Sequence, residues 1–161
     1  MLSLREITPA DNAAVGHVVR TVMPEFGCVG EGYSINDPEL ADMYGSYAAD
    51  RSAFFVLTDS NGDVVGVGGY APLAGGDGTV CELRKMYLLS SARGLGGGGM
   101  LLARCLRDAA ADGYTRMYLE TVAAMTTAAG VYDKYGFRPL DGPLGSTGHS
   151  ACDRFMLRSL V

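Results

Sequence analysis

The chain has 161 residues, and a domain of this length buries roughly 70% of the surface that its unfolded chain exposes. Hydrophobic residues make up 48% and charged residues 19% of the sequence, a composition that excludes a disordered chain. The formal net charge is −5, which argues against a nucleic-acid-binding protein, because such proteins neutralise phosphates with a basic surface. We expect a single domain over residues 1–161.

The cellular location and the metal content are predicted from sequence signals that are absent. There is no export signal at its start and no run of ~18 apolar residues that could span a bilayer, so we expect a cytoplasmic protein that binds neither membrane nor nucleic acid. The cysteines and histidines are too widely spaced for a disulfide framework or a zinc site, and no metal is predicted. These residues are Cys28, Cys81, Cys105, Cys152, His17 and His149.

Hydrophobic periodicity and turn signals place the helices and strands along the chain. An Asn61-Gly62 turn predicts an antiparallel hairpin, and Asp37-Pro38-Glu39 has the residue types of a helix start. Six strands are predicted, at residues 2–7, 53–58, 64–70, 80–89, 117–119 and 152–157. Helices are predicted from Pro9 to Pro24, from Pro38 to Tyr47, from Gly96 to Asp112 and from Ala128 to Tyr135.

The order of these elements, β-α-α-β-β-β-α-β-α-β, predicts an α/β fold. Its sheet should be antiparallel in the first half. A strand, a glycine-rich turn, a helix and a second strand then form one parallel crossover at the centre. The sequence shows neither an internal repeat nor a domain boundary.

The glycine-rich turn, Arg93-Gly-Leu-Gly-Gly-Gly-Gly99, joins a strand to a helix. The first amides of a helix lack partners and lie at the positive end of its dipole, so this position favours an anion. Glycines let a pyrophosphate approach the backbone, and Arg93 adds positive charge. The turn therefore predicts a binding site for a diphosphate group.

This region resembles the GNAT superfamily of N-acetyltransferases. The pyrophosphate loop of that family has the pattern Arg/Gln-x-x-Gly-x-Gly/Ala, which Arg93, Gly96 and Gly98 match. Further along, Tyr132 to Phe137 resembles the family's closing Tyr-x-x-x-Gly-Phe signature, and the firm resemblance covers residues 80–140.

The resemblance implies a mixed, mostly antiparallel sheet of about seven strands with four helices and a central β-Gly-loop-α-β crossover. It also implies transfer of the acetyl group of acetyl-CoA directly to a primary amine, of a small molecule or of a peptide or protein. Many members of the family are dimers, which leaves a homodimer open.

Three catalytic roles follow from the resemblance. Glu82 would be the general base, acting through water, unless it only forms an ion pair with Arg84 or Arg138. The main-chain amide of Leu88 would polarise the thioester carbonyl. Tyr132 would protonate the coenzyme A thiolate, unless it is only a core aromatic residue.

The resemblance also implies the binding residues. Met125 stands where relatives often carry an asparagine that contacts the cofactor, and Thr121, Thr126 or Thr127 could supply a hydroxyl instead. The cofactor-binding residues would be Met86, Leu88, Arg93, Gly94, Leu95, Gly96, Gly97, Gly98 and Tyr132. The acceptor would be bound by Glu25, Glu31, Tyr33 and Tyr70, although the acidic loop is equally consistent with a solvated surface.

The sequence leaves two alternatives open. Gly94-x-Gly96-x-x-Gly99, with Glu120 at the end of the next strand, also matches the fingerprint of a Rossmann-type dinucleotide-binding protein. The preceding hairpin and charged strand argue against that fold. A non-catalytic domain that senses acyl-CoA or binds a partner is the second alternative.

Overall fold

The computed structural model describes all 161 residues. Seven strands form one sheet in the order β1-β2-β3-β4-β5-β7-β6. They are β1 (Ser3–Glu6), β2 (Ala53–Thr58), β3 (Val64–Pro72), β4 (Val80–Leu88), β5 (Arg116–Thr121), β6 (Arg138–Leu140) and β7 (Arg154–Ser159). Strands β4 and β5 pair in parallel and all other neighbours are antiparallel. The predicted α/β fold with a central crossover is confirmed.

Helices cover both faces of the sheet. Helices α1 (Asn12–Glu25) and α2 (Met43–Ser46) pack on one face, and α3 (Gly97–Ala111) and α4 (Thr126–Lys134) pack on the other. Strand β2 shows how the sequence supports this arrangement, since successive side chains of a strand point to opposite faces. Phe54 belongs to the apolar cluster under α1, whereas Phe55 belongs to the cluster under α3. None of the helices combines the length and the apolar character that crossing a bilayer requires.

Several element boundaries differ from the predictions. The second helix is not continuous: residues Pro38–Ala41 form a 3₁₀ turn, and α2 starts only at Met43. Asp42 separates them, because its carboxylate accepts a hydrogen bond from the Gly45 amide at 2.9 Å and so caps a new helix. Strand β7 starts at residue 154 rather than at the predicted residue 152. Strand β6 was not predicted, because its three residues are too few to show a periodic pattern.

Strand β4 changes its pairing along its length. Val80, Cys81 and Glu82 pair with residues 116–118 of β5, and no pair follows Glu82 on that side. On the other side the register with β3 shifts, and Lys85 has a positive φ of 52°. The bulge bends β4, and the second half of the strand has a free edge facing β5.

Gly69 of β3 lies where no side chain fits. A Cβ atom there would overlap the carbonyl oxygen of Ala53 and lie 2.5 Å from Cδ2 of Phe54. We expect Gly69→Ala to lower the free energy of unfolding by about 1–3 kcal/mol, because backbone of β2 must move to accept the methyl group. Urea unfolding measures the change.

Gly130 provides the matched control. It lies in α4, and a Cβ atom there meets nothing within 4 Å. Gly130→Ala should raise stability by about 0.5–1 kcal/mol through lower backbone entropy of the unfolded chain. Equal effects of the two substitutions would contradict the close approach of β2 and β3 at Gly69.

Candidate active site

A cavity opens where β4 and β5 separate. It is partly open to solvent. Its walls come from the second half of β4, the end of β5, the inner face of α4, the segment after α1 and the segment before β7. The lining residues with a part in the chemistry below include Tyr33, Glu82, Met86, Glu120, Tyr132 and His149.

The amide of Leu88 lies on the free edge of β4. The next amide, that of Leu89, donates to the carbonyl oxygen of Val65 in the β3 direction at 2.8 Å. Successive amides of a strand point to opposite sides, so the Leu88 amide points away from β3, toward the opening. The position expected for a donor to the thioester carbonyl is therefore a main-chain donor without a strand partner.

The glycine-rich turn presents a row of unpaired amides. The amides of residues 94–99 donate to no carbonyl oxygen of the chain, and the first to do so is that of Met100, which donates to Gly96 at 3.1 Å. Gly94 and Gly96 have φ values of 79° and 83°, a conformation that only glycine adopts without strain. Six successive free amides before and within the first turn of α3 form a cradle for an anion.

Arg93 is held beside this cradle by two contacts. Its Nε donates to the carbonyl oxygen of Leu88 at 3.0 Å, and its Nη2 lies 2.7 Å from the carboxylate of Glu25. Glu25 was predicted to bind the acceptor, and here its carboxylate contacts Arg93 of the glycine-rich turn, so its acceptor role stays a prediction. The pair is exposed to solvent, and such pairs contribute about 0–1 kcal/mol. An incoming phosphate could therefore replace the carboxylate at low cost.

Tyr132 lies in α4 and is only 6% exposed. Its ring packs edge-on against Phe137, with centroids 5.9 Å apart, and it also lines the cavity. Burial raises the pKa of the hydroxyl well above its ordinary value. The two interpretations of this residue are therefore compatible, since it is a core aromatic residue with a hydroxyl that holds its proton.

Glu82 is the last residue of β4 that pairs with β5, and the two strands separate after it. It is 3% exposed, and its Oε1 accepts a hydrogen bond from Nε of Arg84 at 2.7 Å. Burial raises the pKa of the carboxyl, although the positive charge of Arg84 opposes this rise. The ion pair with Arg84 exists, while Arg138 lies 3.9 Å from Asp133 instead. One oxygen of Glu82 remains for the cavity.

A network of charged residues around the cavity was missed by sequence reasoning. The ammonium of Lys85 is 1% exposed and is bound by Asp37 at 2.8 Å and by Glu39. Nε2 of His149 lies 2.9 Å from Asp37, and Nδ1 lies 3.8 Å from Glu120. Asp37 and Glu39 were interpreted only as helix-start residues, and the sequence contains no signal that pairs Asp37 with a histidine 112 residues away.

Glu82, Glu120 and His149 bring one donor atom each within 4.8 Å of one another, a spacing that metal sites also have. Each residue already has partners in the chain. Arg84 binds Glu82, Asp37 binds His149, and the hydroxyls of Tyr118 and Thr147 donate to Glu120. We interpret the three residues as neighbouring members of the charged network around the cavity, and the expectation that no metal takes part remains a prediction.

The other predicted acceptor residues lie in different places. Tyr33 lines the cavity, and its role in binding the acceptor stays a prediction. Glu31 is exposed and is not among the residues that line it. Tyr70 is 2% exposed and donates its hydroxyl to Asp112 at 2.5 Å, beside the ring of Tyr114. The structure does not bring Tyr70 to the cavity, because its hydroxyl lies away from it and already has a partner.

The comparisons with known proteins agree with this geometry. Residues 17–137 match the Acetyltransferase (GNAT) family. The chain is 40% identical over 158 residues to the N-acetyltransferase YjgM of Escherichia coli strain K12, covering 98% of this chain and 94% of that protein. It is 35% identical over 133 residues to an IAA acetyltransferase of Azospirillum brasilense, covering 82% and 83% of the two chains.

Solved structures show the same fold. A GNAT-family acetyltransferase from Staphylococcus aureus Mu50 superposes with a TM-score of 0.86 over the whole of both chains, at 21% identity. A phosphinothricin acetyltransferase from Sinorhizobium meliloti, solved in complex with AcCoA, superposes with a TM-score of 0.75 at 23% identity, covering 98% of this chain and 88% of that one.

The chain belongs to the GNAT family of acetyltransferases and is an acyltransferase. The resemblance found in the sequence is confirmed. The alternative of a Rossmann-type dinucleotide-binding protein is wrong, because that fold needs a largely parallel sheet and this sheet has a single parallel pair.

Gly96→Ala tests the anion cradle. A side chain at its φ of 83° is strained, and relief of the strain would turn the neighbouring amides. We expect coenzyme A to bind about tenfold or more weakly, a change of ~1.4 kcal/mol or more in binding free energy, measured by isothermal titration calorimetry.

Gly113→Ala is the control at the other end of the same helix. Gly113 has a φ of 92°, and a Cβ atom at either glycine meets nothing within 4 Å. Both variants should lose about 1–2 kcal/mol of stability, but Gly113→Ala should bind coenzyme A as the parent protein does. Unchanged binding by Gly96→Ala would rule out the cradle.

Proposed function

We propose that the protein transfers the acetyl group of acetyl-CoA to a primary amine. The observation that carries this proposal is the opening between β4 and β5, which connects the unpaired amides of residues 94–99 to the buried carboxylate of Glu82. A thioester that lies along the free edge of β4 would reach this carboxylate from the α3 side. The amine would enter from the α1 side.

The cofactor half of the site would consist mainly of backbone. The amides of residues 94–99 would hold the pyrophosphate, with Arg93 adding charge, and the main chain of Met86 and Leu88 would pair with the pantetheine arm as a further strand would. The AcCoA bound to the Sinorhizobium meliloti relative supports this choice of cosubstrate. Met125 lies in the cavity wall and would contribute packing where relatives often use an amide.

In the transfer, Glu82 would accept a proton from the ammonium form of the acceptor, through a water molecule. The free amine would attack the thioester carbonyl, and the negative charge on its oxygen would be stabilised by the amide of Leu88. The carbon–sulfur bond then breaks as Tyr132 gives its proton to the sulfur. Holding both reactants in the opening would supply much of the rate, without an acyl-enzyme.

The charge of the cavity favours a cationic acceptor. Four carboxylates, those of Asp37, Glu39, Glu82 and Glu120, meet two permanent cations, Arg84 and Lys85, so the network has a net charge of −2 with His149 neutral. An ammonium group would offset this charge. The related acetyltransferases are named for different acceptors, so none of those names is transferred to this chain.

Several other expectations stay predictions. We retain a cytoplasmic location, the absence of nucleic-acid and membrane binding, and the possibility of a homodimer on the grounds given by the sequence. Membership of an acyltransferase family argues against a purely non-catalytic acyl-CoA sensor. Release of free thiol from acetyl-CoA in the presence of a panel of amines tests the proposed activity, because a sensor would bind without releasing thiol.

Tyr132→Phe should lower the turnover number for thiol release by about 100-fold, because the departing thiolate loses its proton donor. Acetyl-CoA affinity should change by less than about twofold, since the ring and its packing against Phe137 remain. Tyr44→Phe, which changes an exposed tyrosine of α2, is the control and should behave as the parent protein does. Normal turnover in Tyr132→Phe would remove the acid role.

A further inference from the structure

The proposed reaction leaves a proton on a residue that has little access to water. The side chain of Glu82 is 4% exposed, and Arg84 occupies one of its oxygens. After each transfer the carboxyl must lose its proton before it can act again. A group that is both close to Glu82 and nearer to solvent is needed for this step.

His149 meets both requirements. One of its ring nitrogens lies within 4.8 Å of a carboxylate oxygen of Glu82, a separation that one water molecule can bridge. Side-chain exposure rises from 4% at Glu82 to 14% at His149 and 24% at Asp37. The three residues thus form a path from the buried end of the cavity toward the surface.

Asp37 fixes the orientation of the imidazole ring. Nε2 of His149 lies 2.9 Å and 3.0 Å from the two oxygens of Asp37, and the ammonium of Lys85 binds the same carboxylate. A carboxylate beside an ammonium is ionised and only accepts hydrogen bonds, so Nε2 carries the hydrogen. Nδ1 is then the basic nitrogen, and it faces the cavity near Glu120 at 3.8 Å.

We propose that His149, held by Asp37, is a proton relay that carries the acceptor's proton from Glu82 to solvent. The O–H bond of protonated Glu82 breaks as a proton passes through one water molecule to Nδ1, which forms an N–H bond. The resulting imidazolium is stabilised by Asp37, and its Nδ1–H bond then breaks as the proton passes to solvent water in the open cavity, which restores the neutral ring with its hydrogen on Nε2. One proton moves and no electrons are exchanged.

This relay rests on the proposed function and gives a definite pH dependence. His149 accepts a proton only when it is neutral, so turnover rises as the pH passes its pKa. The hydrogen bond to Asp37 raises that pKa, burial opposes the rise, and the charges of Asp37 and Glu82 raise it further while Lys85 lowers it. The acidic limb of the profile should therefore lie above the ordinary pKa of histidine.

The first experiment needs no activity. NMR titration of the His149 ring should show a pKa above the ordinary value of histidine, and both Glu82→Gln and Asp37→Asn should lower it by removing a neighbouring negative charge. A His149 pKa that is insensitive to Glu82→Gln would overturn the relay, because the two groups would not be coupled.

The second experiment measures turnover against pH with saturating acetyl-CoA and an amine that the protein accepts. His149→Gln should lower turnover about tenfold or more and remove the acidic limb, with acetyl-CoA affinity unchanged. Asp37→Asn should move the limb to lower pH. His17→Gln, the same change at an exposed histidine of α1, is the control and should leave the profile unaltered.

The outcomes separate the two proposals. If the parent protein releases thiol and His149→Gln keeps its rate and its acidic limb, the relay is wrong and the proposed function stands. If the parent protein releases no thiol with any amine, both are wrong. Circular dichroism checks that His149→Gln folds, and a limb that fails to move in Asp37→Asn would overturn the relay independently of that variant.

Discussion

The free edge of β4 is the feature on which the rest of the site depends. A strand in the middle of a sheet normally pairs on both sides, since buried backbone groups without hydrogen bonds are destabilising. Here β4 pairs with β5 for three residues, 80–82, and then separates from it. The main-chain groups beyond Glu82 are therefore available to a ligand, and the Leu88 amide is one of them. A bound pantetheine arm would complete the pairing that the protein leaves open.

The two faces of the sheet give the two sides of this opening different chemistry. The α3 side contains an apolar cluster that includes Tyr132, and the amide cradle lies at the start of α3. On the α1 side, the bulge of β4 helps to bury Lys85 against Asp37 and Glu39. A buried cation is stable only when it is well paired, so this contact also fixes the segment before α2 against the central strand. The same carboxylate of Asp37 then orients His149.

The proposed cofactor and acceptor sides consist of different groups. Main-chain amides would hold the cofactor, so the residue types there would be constrained mainly by conformation, as at Gly94 and Gly96. The proposed acceptor side is built from side chains on irregular segments, at positions such as Tyr33 and His149. Loops of this kind change readily without disturbing the sheet, which is why related enzymes with one fold act on different acceptors.

Local features were determined by the sequence alone. The apolar faces of α1 and α3, the hairpin of β2 and β3 and the glycine-rich turn depend on residues that are close in the chain, so their spacing carries the information. Short elements, such as β6 and the interrupted second helix, contain too few residues to show a periodic spacing. Glu82 and Tyr132 were predicted as site residues because they stand at positions that resemble those of the GNAT family, and their roles stay predictions.

The partners of the side chains were decided only by the tertiary structure. Glu25 lies 68 residues from Arg93 in the chain, and Tyr70 lies 42 residues from Asp112. The sequence alone does not show which partner the Glu25 carboxylate or the Tyr70 hydroxyl takes. The approach of His149 to Asp37 and Glu120 likewise results from two loops meeting over the opened sheet. Charge and polarity are properties of single residues, whereas contact between distant residues follows from how the strands are ordered and where they separate.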